Sequence, residues 1–228
     1  MKVKETVVTN GRVILLDEPL SLQTRSDIAR LDTIDAQEIL FLEDHQLAHG
    51  LEEVLRSMVM EPNTLLVFPG NGSNYPRKLS KVCQEFFNTA SVEAKRFWTP
   101  GTDPEVHAGL IYPERFLILG VKNIVIVDDV ISSGLTMRKL YQKNAWRFPG
   151  AHWTACVWVS QQLPSGNIRR YNEVSVATLV QREKGNQKVP INSLSTLRSN
   201  PEISESYARR HFREPMVFLH LLRKESRL

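Results

Sequence analysis

Only two cysteines occur in the 228 residues, and no apolar run is long enough to span a bilayer. Cys83 falls in an expected helix and Cys156 in an expected strand, which argues against a disulfide scaffold and for reduced, packed thiols in a reducing compartment. The first ten residues, MKVKETVVTN, lack a signal-peptide core, so the cytoplasm is the expected address and no membrane partner is expected. Internal repeats, low-complexity tracts and metal-ligand spacings are also missing, which excludes solenoids and gives no sign of a dedicated structural metal. A strong charge of one sign is lacking too. The formal net charge is +4 and the pI about 9.1, a mild excess that suits an enzyme for polyanionic substrates and does not demand nucleic acid. Hydrophobic content of 42% and charged content of 24% are those of a soluble globular protein, with enough chain for a full core and a modest appendage.

The most informative stretch is residues 124–136, I-V-I-V-D-D-V-I-S-S-G-L-T. Its first part is a continuous β-branched run of the kind found in a parallel strand buried on both faces. The run is expected to end at the acidic pair Asp128 and Asp129. After it come small residues and a helical pattern in which Met137, Leu140 and Tyr141 share one face. Ligands of open α/β sheets bind at the carboxyl ends of strands, and small loop residues let backbone N–H groups close around an anion. Two carboxylates repel a phosphate. They suit the vicinal hydroxyls of a ribose whose 5′-phosphate docks in the adjoining loop. A plain capped helix start would need one of these residues and not the ordered set.

This stretch resembles, position by position, the phosphoribosyl-pyrophosphate (PRPP) motif of the type I phosphoribosyltransferases. The resemblance implies an α/β fold with a mostly parallel sheet, helices on both faces and a variable hood. It implies PRPP binding by Asp128, Asp129, Ser132, Ser133, Gly134, Leu135 and Thr136. Asp128 and Asp129 would hold the ribose hydroxyls directly or through Mg²⁺, the implied cofactor. The activity implied is transfer of 5-phosphoribosyl to a nucleobase or related nitrogenous acceptor, with release of pyrophosphate. Homodimers are common in the family. Its hypoxanthine-guanine members usually carry aspartate where this chain has Ser132, and serine is a poor acid or base at neutral pH, so a 6-oxopurine acceptor is disfavoured.

Other segments are less specific. Residues 64–68 (TLLVF) read as a second buried strand, running into a loop with Gly70, Asn71, Gly72 and Ser73 and then a helix with Pro76 in its first turn. By place and composition this loop matches the family's pyrophosphate-binding loop, with Arg77 and Lys78 as additional cations. Residues 91–98 read as a strand and 99–109 as a long mobile loop. Lys95 and Arg96 stand at its base, where cations would neutralise departing pyrophosphate or equally form a solvated strand edge, and His107 near its far end reads as an ordinary surface histidine. Asn10-Gly11 signals a hairpin, and residues 35–60 a short helix followed by a longer amphipathic one. Strands are expected at 152–160 and 173–180, and helix over 201–222 with an interruption at Pro215. Arg209, Arg210, His211 and Arg213 form a basic cluster that could bind RNA or a partner, with a solvated helix face the favoured reading.

The expected organisation is an N-terminal hairpin with helices over 1–60, a phosphoribosyltransferase-like core over 61–180, and a mostly helical extension over 181–228. Either flanking segment is a candidate hood. A reading of a different class is a regulator that senses PRPP or a nucleotide on the same fold without catalysis.

Overall fold

The computed structural model describes residues 7–9, 12–34, 38–59, 63–70, 72–86, 89–92, 95–97, 105–107, 109–111, 120–131, 134–161, 174–182 and 192–224. The chain divides into two compact units, Met1–Thr9 with Leu47–Asn186, and Asn10–Gln46 with Gln187–Leu228.

The first unit is built on a six-stranded, all-parallel sheet. Its strands are β1 (Val7–Thr9), β4 (Thr64–Pro69), β5 (Thr89–Val92), β8 (Asn123–Ile131), β9 (His152–Gln161) and β10 (Val174–Arg182), in the order β1-β10-β9-β8-β4-β5. The central strands are apolar at consecutive positions because both faces are covered. On one face Leu65, Val67, Ile124, Ile126 and Ala155 pack with Met137 and Leu140 of α5 (Leu135–Asn144). Trp153 completes this layer, meeting Tyr141 and Phe148 edge-on at centroid distances of 5.3 and 6.3 Å.

The residues between them, Leu66, Phe68, Val125, Val127, Cys156 and Trp158, are buried on the opposite face. Two helices lie there. From Leu47 on, α2 (Asp44–Val59) buries Leu47, Leu51 and Leu55, one residue per turn. A Cβ built on its Gly50 would meet Leu179 of β10 at 3.1 Å, so the helix lies against the sheet. The other is α4 (Lys81–Glu85), whose Cys83 stands close enough to Cys156 to affect its ionisation. Each fully buried leucine of this layer contributes about 1.5–3 kcal/mol.

Burial in this layer also sets the thiol chemistry. It pushes Cys83 up to about 11 and Cys156 up to about 12, from an ordinary value of 9.0. A raised folded pKa stabilises the fold fully below the unfolded value, and this contribution is lost as pH climbs through the folded value. Unfolding free energy should therefore fall above pH 9 by up to about 1.4 kcal/mol per pH unit for each thiol. Urea unfolding at pH 8 and pH 10 measures this. Cys83→Ala/Cys156→Ala should flatten the slope, and an unchanged slope would remove the thiols as its cause.

Asn144, the last residue of α5, is fully buried and is a structural pin. Its Oδ1 accepts the Ile111 N–H at 2.7 Å, while its Nδ2 donates to the carbonyls of Leu140 at 2.8 Å and Gly109 at 3.2 Å. Residues 109–111 are thus tied to the end of α5. Asn144→Leu is expected to orphan the Ile111 N–H and cost about 1–3 kcal/mol in urea unfolding; a loss below about 0.5 kcal/mol would refute the pin.

The second unit has its own three-stranded parallel sheet, ordered β11-β2-β3, from β2 (Arg12–Leu16), β3 (Ile39–Glu43) and β11 (Asn192–Ser193). Its helices are α1 (Leu22–Ala29), α6 (Leu194–Ser199), α7 (Pro201–His211) and α8 (Pro215–Lys224). Ile14 and Ile28 share one apolar cluster with Leu194, Phe212 and Phe218, the last two rings stacked at 4.3 Å. Residues near the two ends of the chain therefore complete one core. Polar ties follow the same path: Ser195 N–H donates to Asp17 at 2.9 Å, and Arg198 pairs with Glu18 at 2.6 Å. In β3, the Arg25 guanidinium 2.7 Å from Glu43 holds that carboxyl below its usual range.

Several local expectations change. The strands flanking Asn10-Gly11 form no hairpin: β1 pairs with β10 and β2 with β3, in different sheets, because burial between parallel neighbours outweighs a local turn signal. Asn10 and Gly11 themselves lie outside the described residues. Residues 39–43 are strand and not helix, a short apolar run that periodicity alone does not assign. The helix after residue 73 is two helices, α3 (Asn74–Leu79) and α4, divided at the extended Ser80, whose Oγ accepts the Cys83 N–H at 3.3 Å. Residues 91–98 are not one strand. Ser91 and Val92 close β5, while β6 (Lys95–Phe97) pairs antiparallel with β7 (Glu105–His107), so part of the expected mobile loop is a ribbon. Residues 99–104 lie outside the described residues. The expected helices at the C-terminal end are present, separated before Pro215.

Candidate active site

The chain leaves β4 toward β5 on one side, and leaves β8 toward β9 on the other. The crevice outside the carboxyl ends of β4 and β8 is therefore the topological switch point of the sheet, where open α/β sheets bind ligands. Both of the segments singled out from sequence end there.

On the β8 side, Asp128 and Asp129 lie within the strand, which runs on to Ile131, and not at its end as expected. Asp128 is only 8% exposed. Each carboxylate is held by backbone: Asp128 Oδ1 accepts the Asp129 N–H at 3.1 Å, and Asp129 Oδ1 accepts the Val130 N–H at 2.7 Å. Such bonds fix the rotamers before any ligand arrives. The strand then turns into α5 through Gly134, which is buried at φ 66° and ψ 7°. That left-handed conformation is cheap only for glycine. Leu135 and Thr136 form the first turn of α5, half-buried, with no acidic residue in that turn. The first N–H groups of a helix have no partner inside it and attract anions. Ser132 and Ser133 lie outside the described residues.

On the β4 side, Gly70 adopts φ 71°. Ser73, fully buried, donates its hydroxyl to the Gly70 carbonyl at 2.8 Å, and Tyr75 N–H closes back on the Gly72 carbonyl at 3.3 Å. This folds the loop over the acidic pair. A Cβ built on Gly72 would lie 2.9 Å from Cγ of Asp129 and 3.0 Å from Oδ1 of Asp128, and closer still to Oδ1 of Asp129. The structure thus brings Gly72, Asp128 and Asp129 together. Asn71 lies outside the described residues. Arg77 carries its guanidinium 5.0 Å from the centroid of the Phe68 ring, so this cation packs on the loop's own strand.

Lys95 and Arg96 stand in the β6–β7 ribbon, where the register sets Lys95 across from His107 and Arg96 across from Val106. Trp158 went unnoticed in the sequence. It lies between Val157 and Val159, the partners of Asp128 and Val130, and its buried indole N–H has no hydrogen-bond partner among the described residues. An apolar strand pattern hides such a donor.

Among the described residues no group of three or more His, Cys, Asp or Glu side chains could hold a metal. The donor set here is two carboxylates. That fits Mg²⁺, which is usually bound through one or two carboxylates together with substrate phosphates, and does not fit a dedicated protein cage. Among the described residues no helix is long and apolar enough to cross a membrane.

No protein-family model matches the chain, and no curated protein matches it. Among solved structures it is similar to an orotate phosphoribosyltransferase from Aeropyrum pernix, at 18% identity and a TM-score of 0.40 over 60% of this chain and 69% of that one. It is also similar to a purine phosphoribosyltransferase from Pyrococcus horikoshii, at 17% identity and a TM-score of 0.42 over 65% and 91% of the two chains. A hypothetical protein from Neisseria gonorrhoeae with bound ppGpp matches at 14% identity and a TM-score of 0.43, over 80% and 88%. Superposition at this level carries nothing about the reaction, which rests on the chain's own residues.

Proposed function

We propose that this protein is a phosphoribosyltransferase of the type I class, transferring 5-phosphoribosyl from PRPP to a nitrogenous base or related acceptor. The observation that carries the reading is the placement of Gly72 beside Asp128 and Asp129, with no room for a side chain between them, at the switch point of a parallel sheet. It joins a small-residue loop suited to pyrophosphate to an acidic pair suited to ribose.

In the reaction, an acceptor nitrogen bonds to C1 of the sugar as the C1–O bond to pyrophosphate breaks, the bonding pair leaving with pyrophosphate and any displaced proton passing to solvent. The sugar carries positive charge in the transition state, and the nearby carboxylates of Asp128 and Asp129 favour it. In the ground state they accept the ribose hydroxyls. The N–H groups at the start of α5, the Gly134 turn and the hydroxyls of Ser132, Ser133 and Thr136 grip the 5′-phosphate. Gly70, Asn71, Gly72 and Ser73 bind pyrophosphate, and Lys95 and Arg96 offset its charge as it leaves. Asp128 and Asp129 would also hold Mg²⁺, which would supply further charge neutralisation. Ser132 in place of a carboxylate argues against a 6-oxopurine acceptor.

Calorimetry with PRPP and Mg²⁺, followed by pyrophosphate release with a panel of bases, tests this. Saturable binding with base-dependent release establishes the transferase and identifies its acceptor. Binding without release for any base identifies a PRPP-sensing regulator instead, and no binding overturns both.

A further inference from the structure

Between Asp129 and Glu173 the sequence contains no acidic residue. Within that stretch Lys139, Lys143 and Arg147 follow one another at i, i+4 and i+8, spanning α5 and the 3₁₀ turn after it (Ala145–Arg147). Successive cations are about 6 Å apart along the axis. Like charges at i, i+4 destabilise a helix, and among the described residues no ion pair holds Lys139 or Lys143. Elsewhere the chain does use the favourable pairing, as in Arg209 with Glu205 at 2.7 Å. Arg138 adds an exposed cation on the same helix, and Lys122 another on the strand entry whose carbonyl accepts the His152 N–H at 2.7 Å.

Trp146 stands at the end of this column and is 73% exposed. Its indole N–H is already committed, donating to the Lys143 carbonyl at 2.9 Å, and the Arg147 guanidinium sits 5.8 Å from its ring centroid. The ring is thus fixed in place with no polar need of its own. Leaving an indole in water forgoes the burial it gains elsewhere in this fold, at Trp153 and Trp158. An oriented aromatic face beside a run of cations has the elements of a single-stranded nucleic-acid platform: phosphates meet the cations and a base stacks on the ring. An acidic protein surface would satisfy the lysines but make less use of a flat indole.

We propose that the α5 face formed by Lys139, Lys143, Trp146 and Arg147 binds single-stranded polynucleotide. It runs along α5 and the turn after it from about 7 Å to about 20 Å beyond Gly134, uses none of the residues assigned to PRPP, and is independent of the transferase reading. The probes are fluorescein-labelled 12-nucleotide oligouridylate and oligothymidylate, titrated with the full-length protein by anisotropy at 50 and 200 mM NaCl. Binding should weaken at the higher salt. Trp146→Ala should lower affinity about tenfold, while Trp146→Phe keeps most of it. Lys139→Gln/Lys143→Gln should weaken binding and reduce the salt slope by between one and two. Preference for the uridylate or thymidylate strand identifies RNA or DNA as the source. Absence of binding at 50 mM NaCl, or equal affinity of Trp146→Ala, overturns the proposal. So does a dimer, seen by sedimentation, that Trp146→Ala dissociates, since the face would then be covered by a second copy.

Discussion

Asp128→Asn/Asp129→Asn is expected to lower pyrophosphate release by about 10³-fold or more and to abolish measurable PRPP binding. Asparagine keeps a carbonyl oxygen where each carboxylate accepts a backbone N–H, at Asp129 and at Val130, so the local strand geometry persists and the charge alone is removed. Two carboxylates that converge on Gly72 repel one another. Neutralising them should change the melting temperature far less than it changes PRPP binding. A structural acidic turn predicts the opposite pattern, with stability lost and ligand binding intact. Calorimetry with PRPP and a thermal melt on the same samples separate the two, and retained binding would end the assignment of this pair to ribose.

Gly72→Ala should be nearly as damaging to binding, by a different route. The new methyl would sit inside contact distance of both carboxylates, neither of which can turn away without giving up its backbone N–H. Either the loop after β4 lifts from the acidic pair or the pair rotates, and both outcomes separate the pyrophosphate-facing segment from the ribose-facing one. Overpacking of this kind costs about 1–3 kcal/mol of stability. PRPP affinity is expected to fall about 100-fold, as for a misplaced reactant site. Gly150→Ala is the control: that residue has φ 76° and nothing within 4 Å of the added carbon. It should cost about 1–2 kcal/mol from backbone strain with PRPP affinity unchanged. Equal effects of the two substitutions on binding would mean that Gly72 matters only for folding.

Individual elements were legible wherever burial is recorded residue by residue. The consecutive apolar runs at 64–68 and 124–127 are strands because a strand covered on both faces admits no polar alternation. Pro201 and Pro215 open helices because a first-turn residue needs no N–H partner. Residues 39–43 misled because five apolar or mixed positions satisfy either period, and their pairing with β2 decides. Likewise, Asn10-Gly11 signals a turn without saying whether the flanking strands will pair with each other.

By itself the sequence determined the two runs that enter the crevice and the chemistry they carry there: small residues after one strand, adjacent carboxylates in the other. Those properties are local, set by side-chain type and spacing. Only the tertiary structure decided that the runs are neighbours, that Gly72 leaves no room for a side chain beside the two carboxylates, that Asn144 pins residues 109–111, and that segments from near the two chain ends share a core. Each of these is a contact between residues distant in sequence, and hydrophobic periodicity reports how deeply an element is buried without reporting what buries it.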